Sequence, residues 1–184
     1  NYGNSTSART SAFDSNVTSG NLIWVTVGAF GATANTATIS DTLSTVYTQV
    51  PQFLPTGMGN SRLFCWHGKA PSTGANTITI TPVATAYLTI GLHEYSGVST
   101  ITPLDAYTMA LGTGTAADAG TVPVPRTGSV DTVLAAFTHG SGIVSTTAGT
   151  GFTRRIDQTD GSSFSALTTE EQTSVASAIA TPLT

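Results

Sequence analysis

The sequence predicts an all-β protein, a two-sheet antiparallel β-sandwich, and three observations favour this fold. Apolar and β-branched residues recur with a period of two in several runs, which is typical of strands with one or two buried faces. Clusters of Gly, Asn, Asp, Ser and Pro separate these runs at short intervals and predict turns. No segment repeats its apolar residues with the helical period of about 3.6 residues. Many short strands joined by regular turns are typical of sandwiches and barrels.

The three longest apolar runs are predicted to be central strands. Residues 22–30 are largely apolar on both alternating faces, as in a strand that is buried on both sides. Residues 87–95 and 130–137 are the other two runs. Residues 168–180 are interpreted as strand with a bend, because their many Thr, Ser and Val residues favour strands over helix. Shorter strand candidates are residues 37–40, 46–50, 62–67, 76–81, 121–124, 152–157 and 164–168.

A single domain covering residues 1–184 is predicted. The length favours one domain, or two at most. Residues 112–120 are low in sequence complexity, and as a flexible linker they would divide the chain into two domains. Because the strong strand candidates before and after this segment look alike, it is interpreted as a surface loop within one sandwich.

The composition excludes several classes of protein. Charged residues make up only 9% of the chain, and the formal net charge is −4. With Lys69 as the one lysine, the chain cannot form a phosphate-binding stripe or a polybasic membrane anchor, so no nucleic-acid partner and no membrane insertion are expected. No run of about 18 apolar residues is present. Ordinary intrinsic disorder needs higher charge and fewer β-branched residues.

The same composition favours an extracellular or cell-surface protein. Thr and Ser together number 55 of 184 residues, so a surface rich in hydroxyls and poor in lysine is expected. The first residues, which lack an initiator Met, are interpreted as the start of a mature or excised segment. Cys65, the only cysteine, is predicted to be a small buried apolar residue, with an intermolecular disulfide as the alternative.

The residues that could perform chemistry are few, so no catalytic residue, no metal site and no cofactor are predicted. His67, His93 and His139 are far apart in sequence, and a zinc site needs several converging ligands. His93 and Glu94 are adjacent and point to opposite faces of a strand. Glu94 is the one acid expected on a core strand, whereas Glu170 and Glu171 are interpreted as a solvated pair that does not support glycoside cleavage.

Aromatic side chains are the candidates for ligand binding. Tyr47 and Tyr107 are close to predicted turns, and they are weak candidates for an exposed patch on which a sugar could stack. Trp24 and Trp66 lie within apolar runs and are predicted to pack in the core. The full set of predicted core residues is Trp24, Leu88, Ile90, Phe64 or Trp66, and Phe137.

Several segments resemble a family of Ser/Thr/Gly-rich β-sandwich domains of large secreted bacterial proteins. The most specific match is Tyr95-Ser96-Gly97-Val98 followed by Pro103-Leu104-Asp105-Ala106. The other matching pieces are residues 20–22, 41–47, 148–155 and 169–172. The resemblance implies a jelly-roll-like, lectin-like accessory module with no catalytic residues. Such domains end with one more apolar strand than this chain is expected to have.

Two functions follow as expectations. The first is a non-catalytic structural or adhesive subunit whose partners are other copies of itself, assembled into a filament or surface layer by strand exchange. Residues 4–13 are the predicted donor strand, and pairing of these residues within their own sandwich is the alternative. The second function is a carbohydrate-binding module that recognises a polysaccharide.

Overall fold

The computed structural model describes residues 4–5, 8–31, 36–51, 60–110, 117–121, 131–139, 146–158, 166–175 and 180–183. The described residues form thirteen strands and no helix, and every strand pairing is antiparallel. The predicted all-β, antiparallel fold is therefore confirmed. Among these residues no helix exists that could cross a membrane.

The chain divides into two compact units, residues 1–103 (unit 1) and residues 104–184 (unit 2). The division falls before residues 112–120, which had been interpreted as a loop within one sandwich. The assignment of residues 1–184 to a single domain stays a prediction.

Unit 1 contains eight strands in two sheets. Their bounds are β1 (Asn4–Ser5), β2 (Arg9–Ala12), β3 (Leu22–Phe30), β4 (Ala37–Asp41), β5 (Tyr47–Gln49), β6 (Ser61–Lys69), β7 (Thr77–Pro82) and β8 (Ala86–Tyr95). One sheet has five strands in the order β1-β8-β3-β6-β5, and the other has three in the order β2-β7-β4.

The strand order of unit 1 is that of a rolled-up hairpin. β1 pairs with β8, β2 with β7, and β3 with β6, so the first half of the unit runs back along the second half. Further pairs, β3 with β8 and β4 with β7, join neighbouring pairs into the two sheets. This nesting is the jelly-roll arrangement. One departure is β5, which pairs with β6 in the larger sheet.

The core of unit 1 lies between its two sheets. Because side chains alternate along a strand, the odd-numbered residues of β3 from Ile23 to Ala29 all point to this core. Phe64 and Trp66 of β6 stack there with ring centroids 5.6 Å apart, and Ile78 and Ile80 of β7 enter from the smaller sheet. The predicted burial of Phe64, Trp66, Leu88 and Ile90 is confirmed.

The N-terminal segment is paired within its own chain. Arg9–Ala12 bonds to β7 in register with residues 77–80, and Asn4–Ser5 bonds to β8. The segment that was predicted as a donor for other copies thus adopts the alternative pairing, because its short alternating stretch completes the edges of both sheets of unit 1.

Unit 2 contains two further sheets. Its strands are β9 (Ala117–Thr121), β10 (Asp131–His139), β11 (Thr153–Gln158), β12 (Ala166–Val175) and β13 (Ala180–Leu183). Three of them form a sheet in the order β10-β12-β11, and β13 pairs with β9. β13 lies within residues 174–184, the segment after which the resemblance implies one more strand, so that expectation stays a prediction.

Two expectations about unit 2 are wrong. The run at residues 130–137 was predicted to be central, but β10 lies at an edge of the described sheet and β12 at its centre. Glu170 and Glu171 of β12 were interpreted as solvated, but they are 0% and 6% exposed. Both errors have the same cause. β12 is rich in polar residues, yet it lies at the centre of its sheet and is covered on both faces. Its residue types do not indicate that position. Burial of Phe137 is confirmed.

Candidate ligand-binding face

The larger sheet of unit 1 carries a row of rings on the face that points away from the core. Trp24 is directly opposite His67 on β6 and directly opposite His93 on β8. Tyr95 lies two residues beyond His93 and therefore on the same face. Trp24 and His67 stack with ring centroids 6.0 Å apart and planes 20° from parallel, and His93 and Tyr95 stack at 6.0 Å and 16°. We call these four side chains the aromatic row.

The position of Trp24 corrects its assignment to the core. Its side chain is only half-buried, because even-numbered residues of β3 point to the outer face of the sheet. The pattern misled because this outer face is itself apolar at Leu22, Trp24 and Phe30. The indole Nε1 is buried and finds no hydrogen-bond partner in the described part of the chain.

The other residues of the outer face differ in how deeply they are buried. Thr26 and Thr89, in the middle of the sheet, are buried. Cys65 lies beside Thr26, and burial raises the pKa of its thiol to about 12, although a hydrogen bond to Thr26 opposes this. At the far end, Phe30 and Tyr87 form a separate tilted pair. The aromatic row is thus half-buried, as are Phe30 and Tyr87. Cys65 is too weakly acidic to act as a nucleophile at neutral pH.

One cation, Lys69, lies on the same face of the sheet as the row. Lys69 is opposite Leu22, on the same face as His67, and it is exposed. Burial lowers the pKa of His67, so its imidazole is neutral at pH 7 and can donate or accept a hydrogen bond. Glu94 is the one acid of the strands that carry the row, and its side chain alternates to the opposite face. There its Oε1 accepts hydrogen bonds of 2.7 Å from the Thr18 amide and Asn21 Nδ2.

The two tyrosines named as ligand-binding candidates lie in different units. Tyr47 is half-buried, and its hydroxyl donates a 2.8 Å hydrogen bond to Asp41 Oδ2, which also accepts one from Asn76. Burial raises the pKa of Asp41, but the hydrogen bonds from Thr45, Asn76 and Tyr47 outweigh it and leave the pKa lowered. This network joins β4 to β5. Tyr107, in an irregular segment of unit 2, is 44% exposed.

Unit 2 has a buried polar cluster around Glu170. Glu170 Oε2 accepts a 2.8 Å hydrogen bond from the Gly149 amide, while Oε1 has no partner among the described residues. A β-bulge at Arg155 places Arg154 and Asp157 on the same face as Glu170, where they form an ion pair of 2.7 Å. Arg154 also donates to the Thr146 carbonyl, and Arg155 pairs with Glu171 on the opposite face. These contacts join β11 and the preceding turn to β12.

No described group of three or more His, Cys, Asp and Glu side chains is arranged to hold a metal ion. His67 and His93 lie on either side of Trp24 rather than side by side. The carboxylate of Asp157 forms an ion pair with Arg154. The side chain of His139 lies outside the described residues.

Sequence reasoning missed His67 and His93 as members of the aromatic row. Both histidines are directly opposite Trp24 on neighbouring strands and therefore share its face. This can be recognised only when the register of the three strands is known. Comparisons with protein-family models, with curated proteins and with solved structures find no match for this chain. The resemblance to Ser/Thr/Gly-rich secreted domains stays a prediction.

Proposed function

We propose that this chain is a non-catalytic carbohydrate-binding module of an extracellular or cell-surface protein and that the aromatic row is the surface that contacts the sugar. The single observation that carries the proposal is the alignment of the half-buried Trp24, His67, His93 and Tyr95 on one face of a continuous sheet.

The row has the chemistry that sugar recognition requires. A pyranose ring has an apolar face of C–H groups and a rim of hydroxyls, so it is suited to an aromatic surface that carries polar groups at its edges. Trp24 provides the largest apolar ring, and the neutral imidazole of His67 can donate or accept a hydrogen bond. Adjacent strands are about 4.8 Å apart, so a row across three strands is long enough to contact a disaccharide.

The fold supports the same proposal. The rings belong to β3, β6 and β8, which are three neighbouring strands at the middle of a five-stranded sheet. Their backbone is held by continuous antiparallel pairing, from Leu22 to Phe30, to both neighbours. A platform fixed in this way loses little conformational entropy when a ligand binds.

Replacement of Trp24 by Ala tests the proposal. We expect Trp24→Ala to abolish retardation of the protein in native gels that contain a bound polysaccharide, because it removes the central ring of the row. Phe30→Ala is the matched control, since it removes a half-buried aromatic residue from the far end of the same face. Equal retardation of Trp24→Ala and the unmutated protein, or no retardation by any plant, bacterial or algal polysaccharide, would refute it.

Assembly by strand exchange remains a prediction from the sequence, and the pairing of its donor segment weakens the argument for it. Its donor segment, residues 4–13, includes both strands that pair within the chain. Sedimentation of the intact protein at high concentration tests it, and a monomer under those conditions would contradict it.

A further inference from the structure

We propose that the aromatic row is selective for acidic saccharides that carry a carboxylate, such as uronic-acid polymers. This inference rests on the proposed function and adds the charge of the ligand, which the stacking rings alone do not specify.

The first argument is the position of the one lysine of the chain. Lys69 is at the end of β6, two residues beyond His67, so both side chains are on the outer face. Lys69 is exposed, and its opposite residue on β3 is Leu22, whose neighbour across the sheet is Tyr95. Lys69 therefore borders the row beside His67.

The second argument is that the three strands that carry the row place no carboxylate on this face. The chain has ten acids, yet the three strands that carry the row contain only Glu94. Glu94 lies on the opposite face and is held by Thr18 and Asn21. In a protein with a net charge of −4, the residues that these three strands place on the outer face include a cation, two imidazoles and no acid.

The chemistry of a uronic-acid unit matches both arguments. Its ring can stack on Trp24 while its carboxylate accepts a charge-assisted hydrogen bond from Lys69. A neutral sugar of the same shape would use the rings but leave the ammonium group without an anion. The negative net charge of the protein opposes the approach of an acidic polymer, so selectivity must come from this local arrangement.

Two polymers that differ only in the carboxyl group test the inference. Calorimetric titration compares polygalacturonic acid with the same polymer after reduction of its carboxyl groups to primary alcohols. We expect tighter binding of the acidic form, and we expect added salt to weaken that binding only. Lys69→Gln should weaken binding of polygalacturonic acid by about twofold to fivefold, the range of an exposed ion pair, and leave the reduced polymer unaffected.

Arg62→Gln is the matched control, because it removes a cation from the other end of β6. Equal binding of both polymers, or preference for the reduced one, overturns the inference and leaves the proposed function standing if Trp24→Ala abolishes binding. Binding of neither polymer overturns the inference alone, because the proposed function requires only that some polysaccharide binds. Binding that Trp24→Ala does not change overturns both. Circular dichroism of each variant, with Trp24→Phe as a conservative substitution, separates loss of the ring from loss of the fold.

Discussion

At the scale of single residues, Glu170 shows how polar groups contribute to the interior of unit 2. Its carboxyl is fully buried, with one oxygen bonded to Gly149 and the other without a partner among the described residues. Burial raises the pKa of Glu170, and the Gly149 hydrogen bond lowers it by less. The groups that face it are Arg154, opposite on β11, and the apolar Ala135 of β10. Arg154 is already engaged by Asp157 and the Thr146 carbonyl.

We expect this carboxyl to make unit 2 less stable as pH rises. Above the ordinary carboxyl pKa of 4.5 the unfolded chain releases its proton, while folded Glu170 retains it until the raised pKa is reached. Stability is therefore lost through that window. Glu170→Gln keeps the shape of the side chain and an acceptor for the Gly149 amide, but it cannot ionise. At neutral pH the variant should therefore unfold at a higher temperature than the unmutated protein, and near pH 4 this difference should disappear. Thermal melts between pH 4 and pH 7 measure both.

Glu171→Gln is the control for the Glu170 prediction. Glu171 is the next residue on β12, but it points to the opposite face and pairs with Arg155. Its replacement removes an ion pair and should lower the melting temperature at neutral pH. Equal pH profiles for Glu170→Gln and the unmutated protein would show that Glu170 is not the titrating group.

At the scale of strands, the sequence predicted those whose burial depends on apolar residues. β3, β6, β7 and β8 lie within one or two residues of their predicted positions, because Val, Ile, Leu and aromatic residues alternate there. Pairing of β2 within its own sandwich was left as an alternative, since Arg9–Ala12 has no large apolar side chain and is held by pairing with β7. The aromatic row was missed because pattern alone does not specify register.

The two faces of β3 and β6 lead to different expectations for substitution. Phe64 is 1% exposed and stacks on Trp66 between the sheets, so Phe64→Ala should cost about 3 to 5 kcal/mol of the free energy of unfolding. Trp24→Ala on the outer face should cost less, about 1 to 2 kcal/mol, because the ring is only half-buried. Urea titrations of the two variants measure both values. A larger loss of unfolding free energy for Trp24→Ala than for Phe64→Ala would show that the Trp24 side chain packs in the core.

At the scale of the molecule, unit 1 has the features of a structure that folds alone. Its eight strands are nested from β1 with β8 inwards, so its first and last strands are joined to each other. Its core draws on both of its sheets. A single domain over residues 1–184 was predicted because both halves have similar strands, and similarity of pattern does not reveal which strands share a core.

Both tryptophans, Trp24 and Trp66, belong to unit 1, so tryptophan fluorescence reports on that unit alone, whereas far-UV circular dichroism reports on the strands of both units. If unit 1 folds independently, the two signals should give different midpoints when the intact chain is unfolded in urea, because two-state unfolding requires that all probes coincide. We also expect a fragment of residues 1–103 to reproduce the fluorescence transition of the whole protein, since it retains every strand of the jelly roll. Coincident transitions together with an unfolded fragment would instead support one cooperative domain over the full chain, as the sequence predicted.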